Sequence, residues 1–390
     1  MKAHARVAAS LPRSGIREVM ELASKRDDVI HLEVGEPSFN TPEHIIAAAF
    51  AAARAGRTKY TPNAGLPFVR EAVAERYAAR WSRPVAPEQT LITAGAVDAV
   101  AATVLTLCEE GDEILIPDPG WPNYVGIAML ARARPIRYPL RPENGWLPDP
   151  DELRRLITPQ TKVLIACNPS NPTGAVFSAA TVEALVALTK EQAVYLISDE
   201  IYEDLIFDGL RHAPAARSGE PNVVTVSGCS KSYAMTGWRL GWAIAEPELV
   251  AVAAKVQEGL VSCAPSISQC AAEAAIRGPQ DCVEEMRAAY ERRRDFVRDL
   301  LGPAGLLPTV PHGAFYALVD LGGAGIPSRQ LVIDLLHEEG VATAPGSTFG
   351  EVAEGMVRVS LATADDLLAE GCRRLLRFAE RHGAVPAAVG

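Results

Sequence analysis

The run Ser227-Gly228-Cys229-Ser230-Lys231-Ser232-Tyr233-Ala234-Met235-Thr236-Gly237-Trp238-Arg239-Leu240-Gly241 sets one lysine among small residues, after an apolar strand-like stretch, Val223-Val224-Thr225-Val226. A second cation, Arg239, stands eight residues beyond Lys231. Small residues let a ligand approach the backbone, and a guanidinium fork suits a phosphate. A lysine placed there can form an imine with an aldehyde carried by that phosphate. The plainer alternative is a surface Lys/Arg pair in a turn.

Around this run, short apolar segments alternate with amphipathic ones, as in an α/β domain. Strands are expected at Thr90–Thr93, Glu113–Pro117, Lys162–Ala166, Ala193–Ser198, Val223–Val226 and Leu240–Ile244. Helices are expected at Pro67–Arg80, Val97–Cys108, Asp151–Leu156 and Ala179–Thr189. In an open α/β sheet, ligands gather at the carboxyl ends of the strands. The C-terminal part reads as a smaller α+β unit. It has helices at Cys282–Leu301, Ser328–Glu339 and Ala364–His382, and strands at Ala314–Val319 and Val357–Ser360. An Ile16–Lys25 helix and a Val29–Val34 strand have no nearby partner and are assigned to it. The expected division is a large domain over 46–275 with a mostly parallel sheet, and a small domain from 1–45 and 276–390. The tail Gly383–Gly390 is expected to fray.

Bulk properties narrow the class. The 390 residues are 48% hydrophobic and 22% charged, ordinary for a globular protein with a large core. A net charge of −10 and a pI near 5.3 argue against nonspecific nucleic-acid binding. No apolar run reaches transmembrane length, and Met1–Arg13 lacks the apolar centre of a signal peptide. Seven scattered cysteines without a C-x-x-C pair read as reduced thiols of a cytoplasmic protein. The histidines show no metal-ligand spacing, so no metal is expected.

Several further segments suit the lysine. Asn168-Pro169-Ser170-Asn171-Pro172 follows a strand and makes Asn171 a rigid amide, or is simply a Pro-rich loop with Asx turns. Asp199, at a strand end in Ser198-Asp199-Glu200-Ile201-Tyr202, can keep a pyridine nitrogen protonated, with Tyr202 donating to a ring hydroxyl; strand-end acids also cap helices. Thr93-Ala94-Gly95-Ala96-Val97 turns from strand to helix and offers amides to an anion. Trp121, in Gly120-Trp121-Pro122, can stack on a flat cofactor or lie at the core edge. Arg358, in the apolar strand Val357-Arg358-Val359-Ser360, needs a carboxylate, which an amino-acid substrate would supply unless the side chain reaches solvent from an edge strand. Gly35 in Gly35-Glu36-Pro37 offers a close backbone approach, and Tyr60 in Thr58-Lys59-Tyr60-Thr61-Pro62 lies in a loop away from any helix pattern.

Together these segments resemble the fold type I pyridoxal-phosphate enzymes, and within them the class I/II aminotransferases. The likeness spans about Ile16 to Leu375. Glu33-Val34-Gly35-Glu36-Pro37, Tyr60-Thr61-Pro62-Asn63-Ala64-Gly65 and Ala234-Met235-Thr236-Gly237-Trp238-Arg239 read like the bacterial aspartate/aromatic enzymes. The resemblance implies pyridoxal 5'-phosphate held as an imine by Lys231, with Asp199 at the pyridine nitrogen and Asn171 and Tyr202 at the ring oxygen. It implies Trp121 as the stacking ring, and Gly95, Ala96, Val97, Ser230 and Arg239 around the phosphate. Tyr60 would reach that phosphate from the other subunit of a homodimer with shared sites. Arg358 would bind the substrate α-carboxylate, with Gly35, Asn171 and Trp121 around the substrate. Lys231, Asp199 and Tyr202 would be the catalytic residues of a transamination between an L-amino acid and a 2-oxo acid, with no membrane or nucleic-acid partner.

Some positions depart from that pattern. Gly228 stands where serine is common, leaving Ser227 or Ser230 to compensate. Ala96-Val97-Asp98 has no hydroxyl, so amides and Arg239 would carry the phosphate. His312 stands where an acid is common and reads as structural. No second arginine is placed for a side-chain carboxylate, which leaves the amino donor open. The nearest alternative is a C–S β-lyase of the same fold. A nicotinamide dehydrogenase would need a G-x-G-x-x-G turn, and Gly323-Ala324-Gly325 comes closest, with Ser328 in the third glycine's place.

Overall fold

The computed structural model describes residues 4–385. The strands are β1 Ile30–His31, β2 Thr90–Thr93, β3 Glu113–Asp118, β4 Arg134–Pro139, β5 Thr161–Cys167 and β6 Tyr195–Asp199. They continue with β7 Val223–Gly228, β8 Gly241–Ile244, β9 Tyr316–Asp320, β10 Val341–Ala342, β11 Ala344–Pro345 and β12 Met356–Ser360. The helices are α1 Arg6–Ser10, α2 Gly15–Ala23, α3 Glu43–Arg54, α4 Pro67–Trp81, α5 Ala96–Leu107, α6 Asn123–Leu130 and α7 Pro150–Leu156. They continue with α8 Ala179–Glu191, α9 Pro247–Val261, α10 Ser266–Arg277, α11 Asp281–Leu301, α12 Ser328–Glu339 and α13 Asp365–Arg381.

Seven strands form one sheet in the order β2-β8-β7-β6-β5-β3-β4. All neighbours are parallel except β8, which runs antiparallel to both β2 and β7. Each strand's side chains alternate between two cores. Leu115 and Leu164 join the layer that holds Tyr77, Trp81 and Trp242, while Ile114, Ile116, Val163 and Ile165 join the opposite layer with Val100 and Tyr124. Burial on both faces explains why β3, β5 and β7 read as continuous apolar runs. The edge strand β4 was not expected. Its sequence, Arg134-Pro135-Ile136-Arg137-Tyr138-Pro139, carries two prolines and two arginines, which an edge tolerates and a central strand does not.

Local signals account for the helix starts. Ser14 caps α2 through the Arg17 amide, Asp149 caps α7 through Asp151 and Glu152, and Ser178 caps α8 through Thr181. Proline occupies the first turn of α4, α7 and α9. Helices α1, α3, α6, α9 and α10 had no counterpart in the sequence reading.

The remaining strands make two small sheets, β11-β12-β9 antiparallel and β1-β10 parallel. The expected Val29–Val34 strand is only two residues long, but it finds its partner at a distance, Ile30 opposite Val341. A third core joins α2, α11, α12 and α13 to these strands. Along α13 the buried residues Leu368, Cys372, Leu375 and Ala379 mark one helical face. Of the tail expected to fray, Ala384 is buried near Gly323, and 386–390 lie outside the described residues. Among the described residues, no helix is long and apolar enough to cross a membrane. The seven cysteines are unpaired.

Candidate active site

The carboxyl ends of β2, β3, β5, β6 and β7 and the start of β8 open on one edge of the large sheet, and the candidate residues lie there. Lys231 follows β7 by three residues. Its Nζ donates to the Gly35 carbonyl at 2.7 Å and lies over the Phe315 ring at 5.5 Å. The lysine is not a surface cation. Burial, then the Arg358 charge, pushes its ammonium down to about 8; Glu36 opposes this, Arg239 adds to it, and Asp199 opposes it weakly. Gly35 is required by contact, because a Cβ there would fall 1.9 Å from the Tyr316 hydroxyl oxygen.

Asp199 ends β6 and is 3% exposed. Its Oδ2 accepts from the Tyr124 hydroxyl at 2.6 Å and its Oδ1 from the Ile201 amide at 3.2 Å. The residues that follow form a turn rather than a helix, so the acid is not a helix cap. Burial pushes its pKa up, while Tyr124, Ile201 and Lys231 draw it back. Tyr202 is buried, with its hydroxyl 3.1 Å from that of Tyr316. Trp121 is half-buried and meets Tyr124 edge-on, with ring centroids 5.2 Å apart.

Arg358 is 2% exposed and lies in the middle strand of its sheet, so the edge-strand alternative is excluded. The guanidinium is sandwiched between Tyr316 and Phe349, 4.2 and 4.8 Å from their ring centroids. Nη1 donates to Asn171 Oδ1 at 3.1 Å and Nη2 to the Glu33 carbonyl at 2.6 Å. Neither acceptor is an ionised acid, and Nε has no partner. Among the described residues no carboxylate pairs directly with this buried guanidinium, and Glu33 acts on it only as a nearby charge. Asn171, also buried, is thereby joined to the site by a specific bond rather than left in a generic turn.

An anion cradle lies beside this group. Gly95, with φ of 92°, precedes α5, and the first amides of that helix, on Ala96 and Val97, have no intrahelical partner. Arg239, bonded to the Thr236 carbonyl, closes over the turn, and a Cβ on Gly95 would meet its Nη2 at 2.6 Å. Gly241 completes the cradle, since a Cβ there would lie 2.5 Å from the Ala96 nitrogen. Asp98 takes up the Ala94 amide at 2.9 Å. The fold therefore provides amides, a cation and side-chain-free space, which together suit a phosphate.

Residues 27–375 match the family model described as aminotransferase class I and II. Aspartate aminotransferase of Pyrococcus horikoshii is 38% identical over 373 residues, 95% of each chain. The chain belongs to the class I and II aminotransferases. Aspartate/prephenate aminotransferase of Thermus thermophilus is 37% identical over 96% of this chain and 98% of its own. The structure of Thermus thermophilus aspartate aminotransferase with maleate superposes with a TM-score of 0.91, at 37% identity, over 97% of this chain and 100% of that one. The protein is a transaminase of fold type I, and the C–S β-lyase alternative falls away. The dehydrogenase reading fails on topology: Gly323 and Gly325 follow a strand of a small antiparallel sheet and not a βαβ crossover.

Within this aminotransferase the departures have physical reasons. A Cβ on Gly228 would lie 2.8 Å from both Gly241 Cα and the Leu240 carbonyl, so a serine has no room where the cradle is built on two facing glycines. Ser227 cannot compensate, because its hydroxyl is engaged by the Glu200 carbonyl and Glu203. Ser230, buried next to Lys231, is the remaining hydroxyl. His312 pairs with Asp208, which also receives a fork from Arg294, and is structural. Tyr60 is 92% exposed, and its own chain does not bring it into the cradle.

The sequence reading missed Tyr124, Tyr316, Phe349 and Gly241. Tyr316 shares a face of β9 with Leu318, the register partner of Arg358, and so stacks diagonally on that arginine, a placement visible only once β9 pairs with β12. The convergence of Glu200, Glu203 and His212 was also not visible in histidine spacing. Glu203 there is already taken up by Tyr77, Ser227 and Arg80.

Proposed function

We propose that this transaminase uses pyridoxal 5'-phosphate at Lys231 to move an amino group from an L-amino acid to a 2-oxo acid. The observation that carries this is a half-buried lysine of lowered pKa that feels the charges of both Asp199 and a buried arginine, the arginine having no directly paired carboxylate among the described residues. The residues fit the cofactor: a cradle that side chains would fill, a strand-end carboxylate and an orphaned guanidinium nitrogen. When bound, the cofactor supplies the electron sink for negative charge at the substrate α-carbon.

Each side chain then has a defined task. The Ala96 and Val97 amides, Gly95, Ser230 and Arg239 would hold the phosphate. Asp199, as a carboxylate, would serve the pyridine nitrogen, Asn171 and Tyr202 would serve the ring oxygen, and Trp121 would pack against the ring. Arg358 binds the substrate α-carboxylate with Asn171, while Gly35 and Trp121 border the substrate. Lys231, neutral above about 8, takes the α-proton and returns it as general base and acid. Tyr60 reaches the phosphate of the second subunit in a cytoplasmic homodimer with shared sites. The large domain is 46–275, and the small domain is 1–45 with 276–390.

A screen of amino donors with 2-oxoglutarate as acceptor tests the reading. Acidic and aromatic donors come first, since relatives are named for aspartate and for aromatic amino acids. The expected result is stoichiometric oxo-acid and glutamate formation, with conversion of the cofactor to its amine form. Release of pyruvate and a thiol, without that conversion, would overturn it.

A further inference from the structure

We propose that Tyr124 is the positioning residue that orients Asp199 and keeps it ionised. The proposal rests on the assignment of Asp199 as the partner of the pyridine nitrogen.

Tyr124 is fully buried in the first turn of α6, in the apolar layer that holds Ile116 and Ile165. A phenol hydroxyl in such surroundings costs free energy unless it is paired. Its partner is Asp199 Oδ2, at 2.6 Å, the length of a charge-assisted bond. The backbone amide of Ile201 holds the other oxygen. One donor on each oxygen fixes the plane of the carboxylate and directs its remaining lone pairs.

The other groups facing Asp199 do not replace this donor. Cys167, its register partner on β5, directs its thiol to the Pro169 carbonyl at 3.3 Å. Burial also keeps that thiol protonated. Lys231, from the loop after β7, bonds to Gly35 and acts on Asp199 only as a nearby charge. Tyr124 is therefore the side-chain donor that opposes burial, which otherwise favours the neutral acid. A neutral Asp199 would not hold a positive pyridine. The hydroxyl can be removed without changing the ring packing, because Trp121 and Tyr124 touch edge-on through their rings.

The test is a double-mutant cycle on cofactor-free protein, with Tyr124→Phe, Asp199→Ala and the double variant. The readouts are the dissociation constant for pyridoxal 5'-phosphate and, for proteins retaining Asp199, its carboxyl titration by carbon-13 resonance. Tyr124→Phe is expected to weaken binding about 10- to 100-fold, the range for a bond to a charged group. The Asp199 titration should move to higher pH, and the weakening should vanish in the Asp199→Ala background. Equal weakening in both backgrounds, or an unmoved titration, would overturn the proposal and leave Tyr124 as packing. If Tyr124→Phe does not fold, the unsubstituted protein decides. A slowly exchanging downfield hydroxyl proton of Tyr124 that disappears in Asp199→Ala supports the bond, and its absence refutes it. Failure of the unsubstituted protein to bind the cofactor overturns instead the functional reading beneath the proposal.

Discussion

At Lys231, burial and the charges of Arg358 and Arg239 act in the same direction on an amine whose ordinary value is 10.5. The folded value of about 8 means that the neutral form gains as pH rises through 8. In cofactor-free protein, an uncharged amine-directed reagent should label Lys231 with a rate that rises up to about pH 8 and then levels off. Other lysines should still be accelerating there; a Lys231 profile matching theirs would contradict the assigned environment. Arg358 makes a different prediction. Arg358→Lys keeps a cation but loses the fork, so KM for every amino donor should rise together, about 10- to 100-fold, with a smaller change in kcat. Donor-by-donor kinetics would show otherwise if only one donor suffered, making Arg358 a side-chain selector. Lys231, Asp199 and Arg358 were legible as residues because each breaks a local rule: a cation among small residues, an acid ending an apolar strand, and an arginine inside one. Tyr124 and Tyr316 break no rule, and their roles arise from the rotation of α6 and the register of β9 with β12, which one sequence does not specify.

The elements that build the cradle depend on close approach. β8 enters the sheet antiparallel between β2 and β7, with Gly241 opposite both Thr93 and Gly228. Gly241→Ala would drive a methyl to 2.5 Å from the Ala96 nitrogen and 2.9 Å from the Ser227 carbonyl. Overpacking against backbone costs about 1–3 kcal/mol, so the melting temperature should fall, and phosphate affinity should fall with it. In contrast, a Cβ at Gly126, within α6, meets open space. Gly126→Ala should stabilise the protein by about 0.5–1 kcal/mol. Denaturant midpoints that shift the same way for both variants would contradict the cradle geometry. Most of the large-sheet strands were readable to within a residue or two because burial on both faces leaves unbroken apolar runs. β4 was not, since its edge position permits the prolines and arginines that conceal it. α3, α9 and α10 carry at least as much contrast between faces as α4 and α8, which were read, so their pattern lay in the sequence and was missed.

At the scale of the molecule, the chain closes on itself through β1 and β10, and this long-range pairing brings Gly35 to Lys231. Tyr60 is the exception, a 92% exposed aromatic whose loop is anchored to α10 through Ser266 and Gln269. If it serves a second subunit's phosphate, inactive Tyr60→Ala and Lys231→Ala variants should regain partial activity after subunit exchange, as one site of each heterodimer carries neither lesion. Exchange proven by mass spectrometry with no recovery would place Tyr60 in its own subunit. No single chain displays such a role, so only the resemblance made it legible. The function turns on which lysine holds the cofactor. Borohydride reduction of the loaded enzyme, followed by peptide mapping, should place the pyridoxyl group on Lys231 alone; a label on any other lysine, with Lys231 unmodified, would contradict the account.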